Sequence, residues 1–248
     1  MPVPFLSIVI PAYNEESRLP GTLEQLFSFL QGQPYSYEVI LVENGSSDKT
    51  LQIAQTFAER HPQLRVLQNQ SRGKGLAVQR GMLEALGEYR FMCDADFSMP
   101  VTEINRFLPP ALADYDVAIA SREAAGAVRY HEPYYRHFIG RGYNLLIRIL
   151  ALPGLNDTQC GFKCFRAAAA EDLFRRQSLP GWSFDVEVLF IGRRRGLRIV
   201  EVPIDWYYNA ESKIRIFKDS FQMGIDLLKM RFNALRGKYD GTPSQQAD

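Results

Sequence analysis

The sequence predicts an α/β domain: a mostly parallel sheet with helices on both faces, followed by an amphipathic carboxyl-terminal helix. Two observations predict it. Short apolar runs alternate with segments whose apolar residues recur at helical spacing, and the early runs end in polar loops of the kind that gather ligands beyond the strand ends of open sheets. In order, Phe5-Leu6-Ser7-Ile8-Val9-Ile10 reads as a buried strand stopped by Pro11, and Leu23, Leu26, Phe27 and Leu30 form one helical face. Glu38-Val39-Ile40-Leu41-Val42 is the next strand; Leu51, Ala54 and Ala58 follow on a helix capped by Ser47 or Asp48. A third strand at Leu64 to Leu67 leads to a helix bearing Val78, Met82 and Leu86. Phe91-Met92-Cys93 and Asp116-Val117-Ala118-Ile119-Ala120 are further strands.

A chain of 248 residues sits at the upper end for one α/β domain and can bury a large core. A net charge of +1 argues against nucleic acid as a partner. Cys93, Cys160 and Cys164 lack the close spacing of a metal or redox motif and read as packing residues in a reduced compartment. The amino terminus shows no charged start with an apolar signal core, and no apolar run reaches the roughly 18 residues of a membrane-spanning helix. The expectation is a protein that is soluble or held at a membrane surface.

Four loops carry the chemistry. Asp94-Ala95-Asp96 ends the Phe91 strand with two carboxylates flanking a small residue, hard oxygen ligands suited to Mg²⁺ or Mn²⁺ that already carries phosphate. Pro11-Ala12-Tyr13-Asn14-Glu15-Glu16 offers an aromatic face and a carboxylate, as a base and a ribose require. Glu43-Asn44-Gly45-Ser46-Ser47-Asp48 supplies hydrogen-bonding groups beside a glycine. Ser71-Arg72-Gly73-Lys74-Gly75 joins close backbone approach to two cations, as a diphosphate requires. Each follows a strand and precedes a helix, so all four meet on one edge of the sheet. No GxGxxG follows the first strand, which disfavours a dinucleotide dehydrogenase.

At Leu6 to Glu16, Val42 to Asp48, Gly73 to Gly81 and Cys93 to Ser98 the chain resembles the nucleotide-sugar half of inverting family-2 glycosyltransferases, whose fold is called GT-A. Ala120-Ser121-Arg122, Asp157-Thr158-Gln159-Cys160-Gly161-Phe162-Lys163, Trp182-Ser183-Phe184-Asp185-Val186-Glu187, Trp206 and Ser212-Lys213 resemble the polyprenyl-phosphate branch, above all its dolichyl-phosphate β-glucosyltransferases. The resemblance implies a nucleotide-sugar half at 5–122 and an acceptor half at 123–216, and helical spacing and then polarity add an amphipathic helix at 217–236, closing one domain over 1–236, and a flexible tail at 237–248.

It also implies roles. Asp96, aided by Asp94 and with Ser98 where mannosyl relatives place a second ligand, would hold Mg²⁺ or Mn²⁺. Pro11, Tyr13, Glu15, Val42, Glu43, Asn44, Gly73, Lys74, Asp94 and Ala95 would line the nucleotide sugar. Relatives carry two aspartates where this chain has Glu43-Asn44, and an amide oxygen accepting from uracil N3–H favours UDP-glucose. Arg122 and Lys213 would approach the phosphates, with Arg215 as a possible helper. Gln159, Gly161 and Lys163 would shape the side of a polyprenyl phosphate acceptor, with Asp185 and Glu187 orienting sugar hydroxyls or that cationic group. The alternatives are a GDP-mannose-dependent mannosyltransferase and a nucleotide-sugar-binding module without turnover, against which Asp96 and Lys213 both stand. A lipid acceptor implies a peripheral position on the cytoplasmic face of a membrane. Two segments fit such a surface: Tyr134-Tyr135-Arg136 with Arg141 and Asn144 to Leu152, and the helix bearing Phe217, Phe221, Ile225, Leu228, Phe232 and Leu235 beside Lys218, Lys229, Arg231 and Arg236. Core packing is the competing account for both.

Overall fold

The computed structural model describes residues 3–96, 98–208 and 216–241, and gives only the backbone of 134–140, 143 and 216–221. Its first half repeats strand and helix: β1 (Leu6–Ala12), α1 (Leu19–Gln31), β2 (Tyr37–Glu43), α2 (Thr50–Arg60), β3 (Leu64–Gln68), α3 (Lys74–Glu84) and β4 (Tyr89–Cys93). These strands lie side by side in the order β3-β2-β1-β4, all parallel. The second half continues through a 3₁₀ turn (Val101–Phe107), β5 (Val117–Ser121), β6 (Val128–Tyr130), α4 (Tyr134–Leu150), β7 (Phe162–Arg166), α5 (Ala167–Arg176), α6 (Phe184–Arg194), β8 (Ile199–Pro203), β9 (Asp205–Tyr207) and α7 (Ile216–Leu235). The sheet extends as β4-β7-β5-β8, while β6 and β9 pair separately.

Strand residues alternate between two cores, because successive side chains leave opposite faces. Ile8, Ile10, Leu41 and Phe91 pack with α1 and α2 on one side; Val9, Ile40, Val42 and Met92 pack with α3, α5 and α6 on the other. Phe91, Phe107 and Phe162 meet edge to face at centroid separations of 4.5 to 5.5 Å, riveting β4 to β7. Cys93, Cys160 and Cys164 are buried free thiols, as their spacing predicts.

β7 is the departure from the sequence reading, in which Phe162-Lys163 belongs to a motif and not to a strand. It runs antiparallel to both β4 and β5. Its register sets Phe162 opposite Cys93, so the loop before β7 arrives beside Asp94, whose N–H donates to Gly161 O at 3.0 Å. One reversed strand therefore carries residues of the acceptor half to the carboxyl edge of the donor half.

Three smaller corrections follow. Helix α3 ends at Glu84, and Leu86 is exposed because its N–H is held by Glu38 Oε1 at 2.7 Å. The segment after residue 237, expected to be flexible, is packed where it is described: Tyr239 is fully buried, and Arg176 donates to its carbonyl at 3.1 Å. Finally, Ile225, Leu228, Phe232 and Leu235 are exposed, and α7 packs through Met223, Leu227, Met230 and Ala234 instead. Likewise Leu145, Leu146 and Ile149 of α4 are exposed while Ile147 is buried. The 144–152 segment therefore does both, exposing Leu145, Leu146 and Ile149 while Ile147, Ala151 and Leu152 join the core, and the side chains of Phe217 and Phe221 lie outside the described residues. No helix among the described residues is long and apolar enough to cross a membrane.

Candidate active site

The four loops do converge at one edge. Beyond β1, Asn14 adopts a left-handed φ of 52° that turns its N–H to Ser46 Oγ (3.0 Å) and its side-chain oxygen to Ser47 N–H (2.8 Å), binding the first loop to the second. Asp48 receives the Thr50 N–H at 3.0 Å and hydroxyl at 2.6 Å, but it stands one residue before the N-cap of α2, which is Lys49 and not the expected Ser47 or Asp48. Partial burial raises the Asp48 pKa, but the hydrogen bonds it accepts from Thr50 and Glu16 outweigh this and hold it below the ordinary range.

Several predicted nucleotide-binding groups first hold these loops in shape. Glu15 is buried and paired with Arg18. Glu43 accepts from Ser46 N–H, and Asn44 Oδ1 accepts from Gly73 N–H at 3.2 Å. The Asn44 oxygen assigned to uracil thus gives one lone pair to the glycine loop and keeps the second for a ligand donor. Val42 is fully buried against α3, inside the sheet between Pro11 and Leu67. Pro11 lies in β1 itself. Tyr13 carries Arg72 over its ring, the guanidinium carbon 5.1 Å from the centroid. Gly73 must be glycine, since a Cβ there would fall 2.4 Å from Pro180 O.

The acidic step sits at the centre of this edge. Lys74 Nζ lies 2.6 Å from Asp94 Oδ1 and 5.2 Å from the ring centroid of Trp182. Burial works against the charge on Lys74, but Asp94, Asp185 and Asp96 outweigh it and raise its pKa. Burial and then the neighbouring Asp94 carboxylate push the Asp96 pKa up. Asp96 Oδ1 accepts the Ser98 N–H at 3.2 Å, Ala95 O accepts the Thr22 hydroxyl at 2.7 Å, and Ser98 itself is buried. Of the two neighbouring carboxylates only Asp94 contacts the Lys74 ammonium, and Asp96 feels Lys74 and Arg18 at longer range, a donor set whose hard oxygens fit Mg²⁺ or Mn²⁺. Among the described residues no three His, Cys, Asp or Glu side chains converge, so the remaining positions would fall to water, phosphate or the Ser98 hydroxyl.

Gly161 lies against this pair so closely that a Cβ would stand 1.9 Å from Asp94 Oδ2. Of the other residues expected on the acceptor side, Gln159 is half-buried in the same loop. Lys163 is 1% exposed and reaches Asp185 Oδ1 at 2.6 Å. Burial raises the Asp185 pKa, opposed by Lys163 and Lys74. The two form a sealed pair beneath the site; their reach is electrostatic. Glu187 does not face the site at all. Its oxygens accept from Ser178 N–H (2.8 Å), Leu179 N–H (2.7 Å) and the Tyr239 hydroxyl (2.7 Å), so orienting sugar hydroxyls is replaced by holding the 178–182 loop.

Arg122 leaves β5 toward the same edge and forms a two-pronged ion pair with Asp157, at 2.6 and 2.9 Å. Burial alone would raise the Asp157 pKa, but Arg122 draws it down to about 2. The Trp206 ring lies between Arg122 and Arg129, at 5.4 and 5.8 Å. Glu201 receives the N–H groups of Asn156 and Asp157, each at 3.0 Å. Asp157 and Trp182 lie inside quoted motifs without a role given them there; only spatial neighbourhood reveals what they touch. Lys213 and Arg215 lie outside the described residues.

Comparison with known proteins agrees with this geometry. A family model described as glycosyl transferase family 2 matches residues 7–174. The chain is 33% identical to a dolichyl-phosphate beta-glucosyltransferase of Dictyostelium discoideum, covering 94% of this chain and 76% of that one. It is 35% identical to the Drosophila melanogaster protein of the same name (94% and 76%) and 33% identical to the human one (96% and 78%). Among solved structures, glucosyl-3-phosphoglycerate synthase from Mycobacterium tuberculosis with Mn²⁺ and UDP-glucose superposes with a TM-score of 0.67 at 16% identity, covering 92% of this chain and 79% of that one. Mannosyl-3-phosphoglycerate synthase from Rubrobacter xylanophilus gives 0.69 at 16% identity, with 95% and 75% covered. These two share the fold, with its carboxyl-edge loops, whatever their substrates. The matched span runs from β1 through α5 and takes in the acidic step, the lysine-glycine loop and the reversed strand that joins them; by that extent of likeness the chain belongs to glycosyl transferase family 2.

Proposed function

We propose that this protein transfers glucose from UDP-glucose to a polyprenyl phosphate of the dolichyl type at a membrane surface, with inversion to a β-linked product. The observation that carries this reading is the Asp94-Ala95-Asp96 step, pressed between Lys74 and Gly161, where the donor and acceptor halves meet. The names of the relatives and the exposed apolar stripes of α4 and α7 support the lipid acceptor.

Asp94 and Asp96, with Ser98 nearby, are the residues that would hold Mg²⁺ or Mn²⁺, which when bound neutralises charge on the departing diphosphate. Lys74 stands on the opposite flank of Asp94 as the first residue of α3, a helix amino terminus whose first-turn N–H groups would favour phosphate. Pro11, Tyr13 and Glu15 with Glu43 and Asn44 form the floor that would receive uridine. Arg122, fixed by Asp157, presents a guanidinium that does not need to be ordered during the reaction. A phosphate monoester is already largely ionised near neutral pH, so the acceptor attacks the anomeric carbon without giving a proton to a protein base. The protein's task is alignment of two anionic groups, for which Gln159, Gly161 and the buried Lys163–Asp185 pair shape the acceptor side.

The test is a panel of UDP- and GDP-sugars assayed with a short polyprenyl phosphate and Mn²⁺. We expect UDP-glucose to turn over fastest. Asp96→Ala should lose at least about 100-fold in turnover while keeping its thermal unfolding midpoint, the scale of removing one electrostatic stabiliser of the transition state. A preference for GDP-mannose would overturn the glucosyl assignment, and undiminished turnover by Asp96→Ala would overturn the site.

A further inference from the structure

A cavity of about 320 Å³ lies where the carboxyl-terminal end of α6 meets the carboxyl-terminal ends of α4 and α7. Its floor is apolar, with Leu150, Ala151 and Phe190, and its other lining includes Arg193, Arg194 and Arg231 but no carboxylate. Arg194 is already neutralised by Asp240 at 2.8 Å. Among the described residues neither Arg193 nor Arg231 has a carboxylate partner, and Arg231 lies 6.0 Å from the Phe190 ring centroid. At 1.5 Å of rise per residue, Arg194 is about 14 Å along α6 from Asp185, so this cavity is separate from the donor site.

Its surroundings indicate the occupant. Ile149, itself part of the cavity wall, is 70% exposed, and Leu145, Leu146, Leu228 and Phe232 stand out beside it on α4 and α7. A soluble anion would use the arginines and leave this ridge in water. An amphiphile uses both, because its charged head and its chains are joined. We propose that the cavity binds the phosphate headgroup of an anionic phospholipid while the α4–α7 ridge beds into the acyl layer. This inference rests on the membrane-surface reading above and adds to it a headgroup preference and a seat distinct from that of the acceptor lipid.

The test is co-flotation of the whole protein with vesicles of phosphatidylcholine alone and of phosphatidylcholine with phosphatidylserine. We expect clear preference for the anionic vesicles. Arg193→Gln combined with Arg231→Gln should weaken binding to them on the order of 30-fold, which corresponds to about 1 kcal/mol per arginine. Lys229→Gln combined with Arg236→Gln removes the same charge outside the cavity and should cost less. Equal loss from both pairs, or equal binding to both vesicles, would overturn the headgroup site while leaving membrane docking intact. Transfer to a short polyprenyl phosphate in the absence of vesicles should be unchanged in the Arg193/Arg231 variant; loss there would give the cavity to the acceptor and sink the proposal. Absence of transfer by the unaltered protein would instead count against the proposed activity, and the vesicle comparison would still be read on its own.

Discussion

Gly161 shows how a single residue can matter through what it lacks. Its hydrogen leaves the space that the Asp94 carboxylate fills, and Asp94 is thereby placed within 2.6 Å of Lys74. In Gly161→Ala the new methyl group must displace that carboxylate. We expect turnover to fall about 100-fold, on the scale of a misplacement near 1 Å, with little change in far-ultraviolet circular dichroism. Normal kinetics would show that Asp94 can settle elsewhere without cost. Asn44 teaches the opposite caution. Its residue type suggests a base contact, yet its oxygen accepts the Gly73 N–H, a bond that residue chemistry alone does not select.

Elements matter here by where they end. Helix α6 begins at the site with Asp185 and finishes at the arginine cavity, so a rigid rod links donor chemistry to the surface proposed for lipid. The chain after α7 turns back to bury Tyr239, which donates to Glu187 at 2.7 Å, and Glu187 in turn holds Ser178 and Leu179. Burial first, then the adjacent Glu187, raises the Tyr239 pKa. The loop thus secured carries Trp182 to Lys74 and Pro180 to Gly73. Tyr239→Phe keeps the ring and removes one hydrogen bond to a buried carboxylate, so chemical denaturation should report a loss of about 1.5–3 kcal/mol. A neutral result would mean that Glu187 is satisfied without it.

For the whole molecule, acid sensitivity is set partly by the Asp157–Arg122 pair that closes the acceptor half onto the sheet. The folded Asp157 pKa of about 2 lies below its ordinary value, so the pair contributes stability fully above pH 4 and loses it as pH falls from about 4 toward 2. Asp157 is 1% exposed and Arg122 22%, so the contribution is on the order of 2 kcal/mol. Urea denaturation of the unaltered protein and Asp157→Asn should therefore differ at pH 5 and converge toward pH 2.5. A difference that stays constant across that window would exclude the linkage.

Sequence by itself determined the parallel donor half, the loops at its edge and the acidic step, and left the stripes of α4 and α7 divided between surface and core. Those features are local: strand alternation, helical period and turn residues are written in neighbouring positions. Only the tertiary structure decided that β7 runs backwards, that Asp157 clamps Arg122, that Glu187 serves the loop and not a ligand, and that three arginines from two helices ring one cavity. Each of these joins residues distant in the chain, and such pairings are fixed by packing and hydrogen-bond satisfaction across the whole sheet, which no local pattern encodes.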